Sequence, residues 1–397
     1  MTPDLRGRHD GPVRGIPIGG LTFLCSLGTG VLWNALYFIA ESQYGFTRND
    51  SLLLAFFNGL LYTIVAVNAG RIVRAVERRF SPRTTLGLVL LAQALIAPLV
   101  MVFPNVKVLW VCAVVLTGFG ALQWPIVQSY LASGRHGAAM RNAIGWWNAS
   151  WMAATAIGLA AAGPLKEHDL MQWAIPALLP VNLLALLFLA AFPKHPAEHD
   201  AEQSAKHVPA SYRSLLAASR VLHPMGYLVI GALTPILPYL FTALETAPGR
   251  QAPIGSIWHV ARLVAVLVLW RTAFWHGRGA SLVIAAALLA LGFTLAVAAP
   301  NETVLIAGLV ALGVGQGTIY YSAIYYGLSV GGAEVDAGGI HEALVGAGYC
   351  LGPALGLASF SAGAGEPVFI GLVLGVLAVG FVVAVVRAGR ARSQSIA

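Results

Sequence analysis

His259 and Arg262 stand three residues apart inside the apolar run 252–272, so on a helix they share one face. A charge near the centre of a membrane-length segment costs about 2.5–3.5 kcal/mol unless it is paired or hydrated. Two chemistries offset that cost. Arg262 binds an anionic or strongly polar group of a solute, with His259 as an adjacent hydrogen-bonding or titrating group, or Arg262 is one half of a structural charge pair between helices. His341 and Glu342 form a second ionisable pair, near the start of the apolar run 338–362. Glu342 reads as a proton acceptor or as the counter-ion of Arg262. The plainer alternative is an acid at a helix terminus, where negative charge is favoured.

Amides and aromatic rings recur in the other apolar runs. Gln316 and Tyr320 are four apart and share a face, and Gln123 is followed by Trp124 and Pro125. Trp147, Asn148 and Trp151 make one stripe, and Asn34 with Tyr37 and Asn58 with Tyr62 extend the set. Amides combined with rings suit an uncharged or zwitterionic organic solute. Hydrogen bonds between helices account for each residue taken singly just as well. Gly313, Gly315 and Gly317, together with Pro235 and Pro238, interrupt helix regularity as hinges do, and close packing explains the glycines equally. The three cysteines lie in apolar runs without CxxC or Cys/His spacing, so no metal or cofactor is expected.

The elements that must carry these residues follow from composition. Of 397 residues 58% are hydrophobic and only 10% charged, with mean hydropathy +0.75, against roughly a quarter charged in a soluble domain. A soluble globular fold and a disordered chain are both excluded. The sequence predicts an all-α polytopic membrane protein with twelve transmembrane helices, over 15–40, 51–70, 84–103, 108–131, 143–165 and 171–192, then 224–245, 252–272, 280–299, 304–329, 338–362 and 367–386. The parts are an N-tail (1–14), a six-helix half (15–192), a polar central loop (193–222), a second half (223–388) and a C-tail (389–397). With both termini cytoplasmic, nineteen of the 24 Lys and Arg residues fall in inside segments and four in outside loops, and Arg262 alone lies within a span. The net charge of +8 is then a mark of topology rather than of nucleic-acid binding.

The halves carry matching residues. Pro104-Asn105 and Pro300-Asn301 follow the third and ninth spans, 196 residues apart, while Gly118 and Gly120 match Gly313 and Gly315 at an offset of 195. Six spans separate the copies, so the two pseudo-symmetric halves form a parallel repeat. These features resemble the major facilitator superfamily of secondary transporters, from about Gly15 to Val386. The best local sign is the stretch after the second span, where Gly70, Arg78 and Arg79 match the pattern G-x-L-x-D-R-x-G-R-R. Arg74 stands at its aspartate and Glu77 at its second glycine, which puts the family's aspartate-centred gating latch in doubt and leaves Glu77 as a substitute acid. Gly348-x-x-x-Gly352-Pro353-x-x-Gly356 resembles the antiporter signature but lies in the eleventh span instead of the fifth, and small-residue packing explains it too. Val114 replaces the family's arginine in the fourth span, so proton coupling through that residue is not supported.

The resemblance implies a monomer in the plasma or inner membrane that moves a small organic solute by alternating access, with a proton or ion as a coupling partner. The displaced antiporter pattern leans the direction toward efflux. Two other functions compete with this reading: a membrane-embedded enzyme, and a non-transporting sensor or lipid-translocating protein on the same fold. The enzyme would need HExxH or paired acidic motifs, and neither occurs.

Overall fold

The structure, a computed structural model, describes residues 12–135, 137–197, 209–330 and 335–394. Helices dominate, and the described residues contain no strand. The first crossing joins α1 (Gly15–Gly30) and α2 (Leu36–Tyr44) through one π-helical turn, Val31–Ala35. It closes on Gly45, whose φ of 65° lies in the left-handed region open to glycine. A capping box opens α3 (Arg48–Glu77): Thr47 Oγ1 accepts from the Asp50 amide, and Asp50 accepts from the Thr47 amide at 2.9 Å. After α4 (Pro82–Ile96) and α5 (Leu99–Val102), the Asn105 side chain caps α6 (Val106–Ala132) by accepting from the Val108 amide at 3.0 Å. Then follow α7 (Gly137–Ala160), α8 (Ala162–Glu167) and α9 (Leu178–Leu189).

The second series begins with α10 (Ala210–Leu233), and a 3-10 turn over Thr234–Ile236 separates it from α11 (Leu237–Ala243). Pro235 lies within that break and Pro238 in the first turn of α11, where a missing amide donor is tolerated. Next come α12 (Pro248–Gly255), α13 (Ile257–Arg271) and α14 (Ala280–Val297). Asn301 caps α15 (Glu302–Val330) as Asn105 caps α6, accepting from the Val304 amide at 3.0 Å. The chain ends with α16 (Val335–Ser361) and α17 (Gly365–Gln394).

Among the described residues, eleven segments are long and apolar enough to cross a membrane. The expected fifth crossing is helical as α7, yet it is not among the eleven, because Trp146, Trp147, Asn148 and Trp151 dilute its apolarity. Other boundaries also differ from expectation. Residues 210–222 are helix rather than loop, since Leu215, Leu216, Ala218 and Leu222 recur at helical spacing and are buried. The stretch Gly70–Glu77, expected in a gating loop, is the last two turns of α3, and only Arg78 and Arg79 lie beyond it. At the other end α17 continues into the expected C-tail. Most of the expected N-tail, 198–208 of the central loop and the last three residues lie outside the described residues.

Tight packing joins the two series. The longest contact is between α3 and α16, where a Cβ on Gly59 would come within 2.5–2.7 Å of backbone atoms of Tyr349 and Cys350. Gly348 and Gly352 lie against the α10 backbone, and Gly356 against Leu52. The antiporter-like pattern is thus a packing surface here. The glycines of α15 behave alike: Gly313 meets Trp258 and Ala261, Gly315 meets Ala285 and Leu289, and Gly317 meets Arg262. That helix is unbroken, so close approach accounts for the three glycines without a hinge.

Candidate functional site

A central cavity, its roughly 570 Å³ of empty space partly open to solvent, lies among α1, α3, α6, α7, α10, α13, α15 and α16. Its wall includes Asn34, Tyr62, Trp147, Trp151, His259, Arg262, Tyr320 and Glu342, all singled out from the sequence. The π turn bears on this wall directly, since Trp33 and Asn34 lie within it and both face the cavity.

Arg262 is 1% exposed. Its Nη2 bonds His259 Nδ1 at 2.9 Å and its Nη1 donates to Gln316 Oε1 at 3.3 Å. The guanidinium carbon also lies 4.4 Å from the Trp151 ring centre and 4.7 Å from that of Trp258. Among the described residues no carboxylate lies within ion-pairing distance, and Arg262 Nε and His259 Nε2 are buried without a hydrogen-bond partner. Glu342 is therefore not the counter-ion of Arg262. Tyr62 donates to one carboxyl oxygen of Glu342 at 2.5 Å, and Gln128 Nε2 donates to the other at 2.5 Å. Nor does Glu342 cap or snorkel at a helix end: it is buried two turns into α16.

Aromatic rings connect these two ionisable groups. In the first series Trp124 contacts Trp147 and Trp147 contacts Trp151, with centroids 6.5 and 6.3 Å apart. Trp151 meets Tyr320 of α15 at 5.2 Å, and Tyr320 leads through Tyr227 to Tyr349. Tyr349 then stacks on Trp33 at 4.2 Å, and Trp33 meets Tyr62 edge-on at 5.3 Å. The result is an unbroken girdle of eight rings, all on the cavity wall. Among the described residues Val345 is the only aliphatic side chain in the lining.

The remaining sequence candidates lie elsewhere. Gln123 lines a second, smaller cavity of about 410 Å³ with Gln93 and Asn182. Asn148 donates to Ile144 O at 2.8 Å and accepts from Trp151 Nε1 at 2.8 Å, so it orients a wall ring from behind. Tyr37 and Asn58 are buried away from both cavities. His341 stacks on His223 at 4.4 Å. Glu77 bridges to the exposed His195 at 3.2 Å, within the first series. Sequence reasoning missed Trp33, Tyr227 and Tyr349 as wall residues and Gln128 as the partner of Glu342, because one ring or amide in an apolar run carries no mark of facing a cavity.

With eleven membrane-length helical segments among the described residues, around a polar-and-aromatic cavity, this is a multi-pass membrane protein. The profile of the Major Facilitator Superfamily matches residues 18–326, and the chain belongs to that family. Membership supports a secondary transporter rather than an enzyme. Among solved structures the chain is similar to the human organic anion transporter MFSD10 (TETRAN), with TM-score 0.66 and 13% identity over 93% of this chain and 98% of that one. It is also similar to the E. coli fucose:proton symporter FucP, with TM-score 0.59 and 15% identity over 94% and 98% of the two chains. At such identities the likeness is one of fold. No curated protein matches by sequence.

Proposed function

We propose that the chain is a secondary active transporter that moves a small organic solute by alternating access, with the central cavity as its binding site. The observation that carries this reading is a buried, carboxylate-free Arg262 on a cavity walled by both helical series. An unpaired buried charge is costly to fold around and is retained where function uses it. Arg262 engages the polar or anionic end of the solute, with His259 and Gln316 holding the guanidinium in place. Glu342, held in the same cavity by Tyr62 and Gln128, is the candidate site for a coupling proton.

The two series contact each other at both ends of the cavity. Near Arg48, Ser51 bonds Tyr239 at 2.9 Å and Lys166 bridges Glu41 and Gln251 at 3.1 and 3.0 Å. At the C-terminal end of α13, Trp270 Nε1 donates to Asn142 of α7 at 3.4 Å. Such paired closures are what rocking halves would break in turn. The matched caps Asn105 and Asn301 support a duplicated, parallel six-helix repeat with α7 as the twelfth crossing. The excess of basic residues on one side supports cytoplasmic termini and a plasma or inner membrane location. The antiporter-like pattern favours efflux, although its packing role removes much of that lean.

A screen of organic solutes in proteoliposomes, with and without a pH gradient, tests the reading. Saturable flux driven by the gradient is expected, and hydrolytic turnover without flux would favour the membrane-embedded enzyme.

A further inference from the structure

The transport reading leaves the chemistry of the solute open, and the cavity wall narrows it. Charge comes first. The wall holds one fixed cation, Arg262, with no carboxylate in ion-pairing reach among the described residues. Its one acid, Glu342, already has each oxygen engaged by a neutral donor, Tyr62 on one and Gln128 on the other. An ammonium solute would meet Arg262 at short range without a free acid to hold it. Aromatic cages do bind cations, but here the wall ring of Trp151 already faces the guanidinium, which would repel a second cation held on the neighbouring rings. A planar guanidinium with an unpartnered Nε matches a planar oxyanion.

Shape comes second. A flat ring contacts an aromatic face over its whole area and a saturated or branched solute does not, and among the described residues Val345 is the one aliphatic side chain in this lining. The girdle instead offers ring faces and edges from both series, crossing between them at Trp151–Tyr320 and at Trp33–Tyr349. Aromatic pairs prefer offset-stacked or edge-to-face geometry and gain about 0.5–1.5 kcal/mol beyond area burial, a gain that an aromatic guest adds and an aliphatic one does not. A guest in contact with both crossings would also bridge the series, so binding and closure would be linked.

We propose that the solute is a flat, ring-bearing monoanion, its carboxylate-like group on Arg262 and its ring within the aromatic girdle. This inference rests on the transport reading for its meaning, but binding tests it separately. Purified full-length protein is titrated with 2-naphthoate, its neutral analogue 2-naphthamide, its cationic analogue 2-naphthylmethylamine, and cyclohexanecarboxylate. Thermal stabilisation and quenching of tryptophan fluorescence are the readouts. Naphthoate is expected to bind about tenfold to a hundredfold more tightly than the amide, the range set by a charge-assisted contact. The amine should not bind, and the saturated acid should be weaker than naphthoate.

Arg262→Lys, which keeps the charge and loses the fork, should weaken naphthoate by at least about tenfold in folded protein. Trp151→Leu should bring naphthoate toward the saturated acid. Amide or amine bound as tightly as the acid, a saturated ring equal to an aromatic one, or no probe bound by folded protein would each overturn the proposal. Flux on the same preparations separates the two readings. Naphthoate bound but never transported defeats the transport reading alone, whereas transport of the amine with exclusion of the acid defeats the monoanion alone.

Discussion

Replacing Arg262 with methionine removes the charge and keeps an unbranched chain of comparable reach. The variant loses bonds to His259 at 2.9 Å and Gln316 at 3.3 Å, and ring contacts at 4.4 and 4.7 Å. At about 1.5–3 kcal/mol for each hydrogen bond of a charged group and about 0.5–2 kcal/mol for each ring contact, the loss is roughly 4–10 kcal/mol. Against it stands the desolvation of a guanidinium that is 1% exposed and has no carboxylate, a cost of several kcal/mol. The terms nearly cancel, so folding should change by no more than about 2–3 kcal/mol in either direction. Solute binding, in contrast, should fall by at least about tenfold, because the charge-assisted contact has no replacement. The assay is apparent Tm of purified protein with and without solute, at matched folded abundance. A variant that unfolds while its residual folded fraction binds solute normally would make Arg262 a structural anchor and refute the reasoning.

Other outcomes follow from the same geometry. Glu342→Gln keeps the hydrogen-bonding shape but cannot exchange a proton, so solute exchange should persist while accumulation driven by a pH gradient is lost; counterflow and gradient-driven uptake on one preparation distinguish the two. Gly59→Val places side-chain atoms where a Cβ already comes within 2.5–2.7 Å of the α16 backbone. It should cost about 1–3 kcal/mol, read as lower folded yield and lower apparent Tm. Lys166→Ala removes a partly exposed bridge to Glu41 at 3.1 Å and should shift stability by less than about 1 kcal/mol, since such pairs contribute little. Asn148→Leu frees the Trp151 indole N–H that Asn148 now accepts at 2.8 Å, and should weaken solute binding without touching the cavity itself.

The helices were legible because apolar runs of membrane length leave few alternatives, and the break at Pro235 and Pro238 was legible because proline lacks a donor. Boundaries were less so. Residues 210–222 carry Arg213, Arg220 and several serines, and their charge hid a buried stripe that only a neighbouring helix reveals. The π turn at Val31–Ala35 has no signature in its side chains. At the site, Arg262 and Glu342 stood out because ionisable groups are rare in apolar runs. Tyr227 and Tyr349 did not, since a lone ring there reads as packing until the fold sets it beside another. The pairing of Glu342 with Arg262, one of the alternatives open in the sequence, is absent for a related reason. Sequence separation gave no sign that Tyr62 and Gln128, on two other helices, would reach the carboxyl group first.

The central claim is that this chain carries solute through the Arg262 cavity. Its most direct test is counterflow of labelled organic anions in proteoliposomes holding equal folded amounts of wild-type protein and Arg262→Met. Saturable flux is expected in the wild type and its loss in the variant. Equal flux in both, or none in correctly folded wild-type protein across the panel, would contradict it.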